Sequence, residues 1–124
     1  MQKDAAVPLI LAVDDEPMVL TMMERFLTDA GFEVIKASDG MAAISQVRDH
    51  NPDLVLLDIT MPGLDGILTL VKIREISDVP VIIVTASNDE QHIKESFDKG
   101  ADDFIGKPFR SRDLIARIEA KLRR

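Results

Sequence analysis

Three aliphatic runs, LILAV (Leu9–Val13), LVLL (Leu54–Leu57) and VIIV (81–84), constrain the fold of this chain more than any other feature. Each has the length of a strand, is rich in branched side chains and lacks polar alternation, so each reads as a parallel strand covered on both faces. Two weaker runs, EVIKA (Glu33–Ala37) and DFI (103–105), carry charge or are very short, which suits the edges of a sheet.

Segments with helical spacing separate these runs. In the first, Val19, Met22, Met23, Phe26, Leu27 and Ala30 recur at three and four, with Pro17 at the start and Gly31 at the stop. Proline suits a first helical turn, and glycine suits the position just past a last one. Asp39 and Gly40 open a second helix, with Ile44 and Val47 inward and Pro52 closing it. A third is predicted over 65–76 with Ile67, Leu68 and Val71, joined by Ile76, inward. A fourth, over 89–99, is anchored by Ile93 and Phe97 and ended by Gly100. Ser111 is the expected N-cap of a fifth, whose apolar stripe is Leu114, Ile115, Ile118 and Leu122. The methionines of the first helix read as core filler, and His50 and His92 as exposed residues on polar helical segments.

Five strand–helix pairs at regular spacing predict an α/β protein, with an open parallel sheet, right-handed crossovers and helices on both faces. With the two charged strands outside, the strand order is 2-1-3-4-5. The 124 residues contain no repeat, linker or low-complexity tract and are expected to form one domain (1–124), with an ordered core from about residue 8. A chain of this size buries enough surface to fold without a disulfide or structural zinc, and it has no cysteine for either. The 22 acidic and 15 basic residues give a net charge of -7, which argues against direct nucleic-acid binding by this segment. No apolar run approaches the roughly 18 residues of a membrane span, and MQKDAAVPL does not resemble a secretory signal. The expectation is a soluble, unprocessed, cytoplasmic protein without membrane contact.

In such a sheet, ligands lie beyond the carboxyl ends of the strands, where the strand order reverses, here between the first and third strands. Asp14 and Asp15 follow the first strand, Asp58 closes the third, Thr85 follows the fourth and Lys107 the fifth. One rim thus collects three carboxylates, a hydroxyl and an ammonium. Taken alone, Asp14, Asp15 and Glu16 would merely suit the positive N-terminus of the first helix, and Asp58 a turn. Together with Thr85 and Lys107 on the same rim they argue for a site. Carboxylates this close raise one another's pKa unless a cation intervenes. Lys107 neutralises one of them, and a hard divalent ion is the natural remainder. Mg2+, with Mn2+ as a substitute, prefers oxygen ligands and keeps positions open for water or phosphate oxygens. A carboxylate beside such an ion can attack a phosphoryl group and form an acyl phosphate, provided the group is held in line and its equatorial oxygens are stabilised. The ion, the Lys107 ammonium and the Thr85 hydroxyl would each take one oxygen.

The pieces LILAVDDEP, LLDITMPGLDG, VTAS and GADDFIGKPF, in this order, resemble the receiver domain of bacterial two-component response regulators over essentially the whole chain. The resemblance implies a flavodoxin-like (βα)5 three-layer sandwich. It implies Asp58 as the phosphoacceptor, Asp14 and Asp15 as the acid pair that organises Mg2+, and the backbone carbonyl of Thr60 as a third metal contact. Thr85 and Lys107 look like the hydroxyl and lysine that bind the phosphoryl group, and Thr85 with Phe104 looks like the switch pair. Phe104 stands where tyrosine is also frequent in the family; it can report by burial or exposure but has no hydroxyl to bond outward. Thr60 and Ser87 fall where dephosphorylation is tuned. The Lys107–Pro108 bond resembles the family's cis peptide, and Met61, Pro62 and Gly66 match the turn after the acceptor. The implied role is a switch that catalyses at most its own phosphorylation and the hydrolysis of its acyl phosphate.

The implied donor is a sensor histidine kinase or a phosphotransfer protein. Lys94, Asp98, Asp102 and Asp103, set against Arg117 and Lys121, form either a solvated face or a charge-matched homodimer surface on the fourth helix, fifth strand and fifth helix. Similarity of GADDFIGKPF and DLIARIEAKLRR to regulators with winged-helix output domains favours the second. Two other classes are weighed. A magnesium phosphatase with an aspartate nucleophile would carry a second aspartate two positions on, where Thr60 stands. A flavodoxin-like cofactor module would have Ser, Thr or Gly amides in the first loop, which here is DDEP. No GxxxxGK[ST] occurs, which excludes an ordinary P-loop.

Overall fold

A computed structural model of the chain describes residues 7–60, 65–86 and 90–123. Among these residues strands and helices alternate: β1 (Leu9–Val13), α1 (Pro17–Asp29), β2 (Glu33–Ala37), α2 (Gly40–His50), β3 (Leu54–Leu57), α3 (Gly66–Ile76), β4 (Val81–Thr85), α4 (Glu90–Asp98), β5 (Asp103–Gly106) and α5 (Ser111–Leu122). The strands form one sheet in the order β2-β1-β3-β4-β5, and every neighbouring pair is parallel. The aliphatic runs occupy the three central strands, where both faces are covered.

Alternation along each strand divides the interior into two cores. Leu11, Val13, Val55, Leu57, Val81 and Ile83 pack with Ala43 and Val47 of α2 and with Ile67, Leu70 and Ile73 of α3. Ile10, Ala12, Leu54, Leu56, Ile82 and Val84 pack on the opposite face with Leu20, Met23 and Leu27 of α1 and Leu114 and Ile118 of α5. Local chemistry sets several helix ends. The Asp39 carboxylate accepts the Ala42 amide at 2.8 Å at the start of α2, and Asp65 accepts the Leu68 amide at 2.8 Å at the start of α3. Gly31, at φ +96°, turns the chain after α1.

The helix faces depart from the sequence expectation in identifiable ways. In α1 the buried line is Leu20, Met23 and Leu27, while Met22, Ala30 and Met18 (85% exposed) face outward. Phe26 is half-buried, and its ring meets that of Phe109, in the segment before α5, edge-on at 6.3 Å. In α3, Leu70 and Ile73 join Ile67 inside, and Leu68 and Ile76 are exposed. Gly66 explains that orientation: a Cβ built on it would lie 2.1 Å from Ile59 Cα and 2.5 Å from the Asp58 carbonyl oxygen. Only glycine lets the first turn of α3 rest on this backbone, and that contact fixes which side of the helix points inward.

In α4 the buried side chain is Ser96, whose hydroxyl donates to the Ile93 carbonyl, and Phe97, the expected anchor, is 44% exposed. Asp89, the expected first residue of α4, lies outside the described residues. Ser111 is the first residue of α5 instead of its cap; Arg110 holds the cap position and its side chain makes no capping bond. Both histidines are exposed.

Gly66→Ala forces a methyl group into backbone, and the expected cost is about 1–3 kcal/mol of unfolding free energy. Urea unfolding measures it directly, and an unchanged midpoint would show that α3 is free to lift off the Asp58–Ile59 backbone.

Candidate functional site at the carboxyl edge of the sheet

The sheet register brings the strand ends level. Val13 pairs with Leu57, and Thr85 pairs with Gly106, so Asp14, Asp58 and Lys107 each leave the sheet at the same edge. The amide of Asp58 still donates to the Val13 carbonyl at 3.1 Å, and that of Lys107 to the Thr85 carbonyl at 2.9 Å, which continues the ladder one residue beyond the strands. Asp14, Asp58 and Thr85 are buried, at 0%, 3% and 0% exposure. Asp15 is exposed.

Lys107 ties the rim together. Its Nζ lies 2.6 Å from Asp14 Oδ2, 3.3 Å from Asp58 Oδ2 and 3.9 Å from Glu16 Oε1. The other Asp14 oxygen accepts the Glu16 amide at 3.0 Å. Asp58 Oδ1 accepts both the Thr60 amide, at 2.9 Å, and the Thr60 hydroxyl, at 2.8 Å. Carboxylate oxygens of Asp14, Asp15 and Asp58 all lie within 4.8 Å of one another. An all-oxygen set of this charge suits a hard divalent cation, with exposed Asp15 on the side open to water.

Burial pushes the Asp14 carboxyl above the usual carboxylate range, and the Asp58 charge adds to the rise. The hydrogen bonds from Lys107 and the Glu16 amide, and the Lys107 charge, oppose it without reversing it. For Lys107 burial works the other way, but the bond to Asp14 and the charges of Asp58 and Asp14 outweigh it, and its pKa is raised. Lys107 thus gains from two carboxylates, whereas for Asp14 burial outweighs the one ammonium it meets.

The structure therefore brings together Asp14, Asp15, Asp58, Thr85 and Lys107 at one edge, and it adds Glu16, which by sequence suits only the helix terminus. The acidic run DDEP was the signal available for it. The Lys107–Pro108 peptide is cis. Phe104 is half-buried on β5 and packs against the α2–α3 core. Ser87, Met61 and Pro62 lie outside the described residues.

The family model described as response regulator receiver domain matches residues 10–119. The chain is 41% identical over 115 residues to the DNA-binding response regulator MtrA of Mycolicibacterium smegmatis, covering 93% of this chain and 50% of that one. It is 39% identical to the transcriptional regulatory protein SrrA of Staphylococcus aureus, covering 93% and 48%. The chain thus spans about half the length of these curated relatives. A response regulator receiver domain protein (CheY-like) from Methanospirillum hungatei superposes with a TM-score of 0.92 at 29% identity, covering 95% of both chains. A putative response regulator from Chloroflexus aurantiacus gives 0.90 at 32% identity, covering 96% and 100%.

Because its folded-state pKa is raised, Lys107 contributes stability that is fully present below the ordinary lysine pKa and is lost as pH rises through the raised value. Lys107→Met at neutral pH removes that contribution and leaves two buried carboxylates without their cation. The expected loss is about 2–3 kcal/mol, below that for a sealed pair because the rim opens to solvent. The deficit should shrink as pH falls and Asp14 protonates; a deficit independent of pH between neutrality and mild acid would contradict this electrostatic origin.

Proposed function

The chain belongs to the response regulator receiver domain family, and on that premise we propose that Asp58 accepts the phosphoryl group in two-component signalling. The donor is the phosphohistidine of a sensor kinase or phosphotransfer protein. An Asp58 carboxylate oxygen attacks phosphorus, the P–O bond forms as the P–N bond breaks, and the departing imidazole takes a proton from solvent. The observation that carries this reading is the placement of Lys107 Nζ on Asp14 Oδ2 and Asp58 Oδ2 at once. An ammonium already seated beside the nucleophile needs little rearrangement to meet the phosphoryl oxygens.

Asp14, Asp15 and Asp58, with the Thr60 backbone carbonyl, are the residues that would hold Mg2+, for which Mn2+ can substitute. Bound there, the ion supplies positive charge for the transferring phosphoryl oxygens. Thr85, at the end of β4, donates its hydroxyl to the phosphoryl group and acts with Phe104 as the switch. Phe104 reports by its burial against the α2–α3 core. The changed surface is that of α4, β5 and α5, which meets a partner, an output domain or a second copy of the chain. Thr60, whose hydroxyl bonds Asp58, and Ser87 tune the lifetime of the acyl phosphate. The domain spans 1–124, acts in the cytoplasm and has no catalytic activity beyond its own phosphorylation and dephosphorylation. No helix among the described residues is long and apolar enough to cross a membrane.

A phosphatase reading is less well supported. Such an enzyme needs a carboxylic acid near the nucleophile to protonate the leaving group. The position two residues after Asp58 is Thr60, whose hydroxyl instead donates to Asp58.

Intact mass after incubation with acetyl phosphate tests the assignment. Expected is a Mg2+-dependent, hydroxylamine-labile gain of one phosphoryl in the wild type, and none in Asp58→Asn. An equal gain in the variant would place the acceptor elsewhere.

A further inference from the structure

At the opposite end of the sheet from the acidic rim, the Arg74 guanidinium makes five hydrogen bonds. Its Nε and one terminal nitrogen donate to the Gly100 carbonyl at 3.1 and 2.8 Å. The other donates to the carbonyls of Val79, at 2.6 Å, and Ser77, at 3.3 Å. The first terminal nitrogen also reaches Asp102 Oδ2 at 3.0 Å, an oxygen that in turn accepts the Val81 amide at 2.8 Å. Gly100 sits beneath the guanidinium at φ +111°, and a Cβ there would come within 2.9 Å of Arg74 Nε. One side chain thus joins the end of α3, the loop entering β4 and the loop between α4 and β5.

The position of these bonds bears on α4. That helix buries Ser96 alone within Glu90–Asp98, too little apolar surface to hold it firmly against the sheet. Its C-terminal end is tied down by a chain of bonds: Gly100 N–H to the Phe97 carbonyl, Ala101 N–H to Ser96, and Asp102 N–H to Val81. Arg74 closes that chain from α3.

We propose that Arg74 is a positioning residue for the switch: it fixes the C-terminal end of α4 and the start of β5, so that phosphorylation displaces α4 at its N-terminal end. This rests on the phosphoacceptor reading above and specifies how the signal is confined. With one end fixed, a change at Thr85 becomes a swing of α4 in a defined direction. With both ends loose it would become disorder. Asp102, which the sequence left on either a solvated face or a charge-matched dimer surface, is engaged within the chain by Arg74 and the Val81 amide.

Amide hydrogen exchange on wild type, Arg74→Met and Arg74→Lys, with and without beryllofluoride and Mg2+, tests the proposal. In the wild type, beryllofluoride should change exchange at Glu90–Ile93 and leave the amides of 100–102 unaltered. In Arg74→Met those amides should exchange at least about tenfold faster at rest, and the beryllofluoride response should spread to them. Arg74→Lys, which keeps the charge but not the forked geometry, should lie between and covers the case of a variant that folds poorly. Equal beryllofluoride responses at both ends of α4 in the wild type, or unchanged exchange at 100–102 in both variants, would overturn the proposal. No response anywhere, including Asp58 and Lys107, would overturn the phosphoacceptor reading; resting exchange in the variants would then still decide whether Arg74 anchors the loop.

Discussion

A single ammonium placed between two buried carboxylates sets the character of this molecule. Asp14 and Asp58 end neighbouring central strands, and the 2-1-3 part of the sheet order leaves them side by side with little solvent. Neither could stay ionised there alone at modest cost. Lys107 comes from the far side of Thr85, carried to the same edge by the β4–β5 register. The interaction is incomplete by construction, because three clustered carboxylates face one lysine. That deficit of positive charge is what suits the rim to a divalent cation.

The two ends of the sheet are built on opposite principles. At the carboxyl edge charges are concentrated and undercompensated, which leaves them able to change partners. At the other edge the Arg74 guanidinium is shared among four carbonyl and carboxylate groups, and the surrounding loop amides are bonded in turn. Between them lies α4, with little burial of its own. Stored electrostatic imbalance at one end and a saturated clamp at the other are complementary requirements for a lever.

Much of the fold is legible in the sequence because unbroken aliphatic runs leave few alternatives to a covered parallel strand. The bounds of β1, β2 and β3 agree with the runs, whereas β4 and β5 each extend one residue further, to Thr85 and Gly106, because pairing and not hydropathy ends them. Helix faces are less legible. In α1 and α3 apolar residues occupy more than one side, and the choice falls to contacts the sequence does not display, such as Gly66 on the Ile59 backbone. Asp14, Asp58, Thr85 and Lys107 could be found because each follows a hydrophobic run, whereas Thr60, Ser87 and Phe104 were named only by resemblance to the family. The double bond from Thr60 to Asp58 and the approach of Glu16 to Lys107 depend on turn geometry. Arg74 was silent for a similar reason: most of its partners are backbone carbonyls, which any residue type provides.

The claim at the centre, that the rim is a charge-loaded site matched to a cation, is tested most directly by unfolding free energy across a Mg2+ titration of wild type, Asp14→Asn and Asp58→Asn. Expected is a wild type whose stability climbs with the logarithm of Mg2+ concentration once the site fills, and variants that gain little. A wild type indifferent to Mg2+, or three proteins stabilised equally, would contradict it.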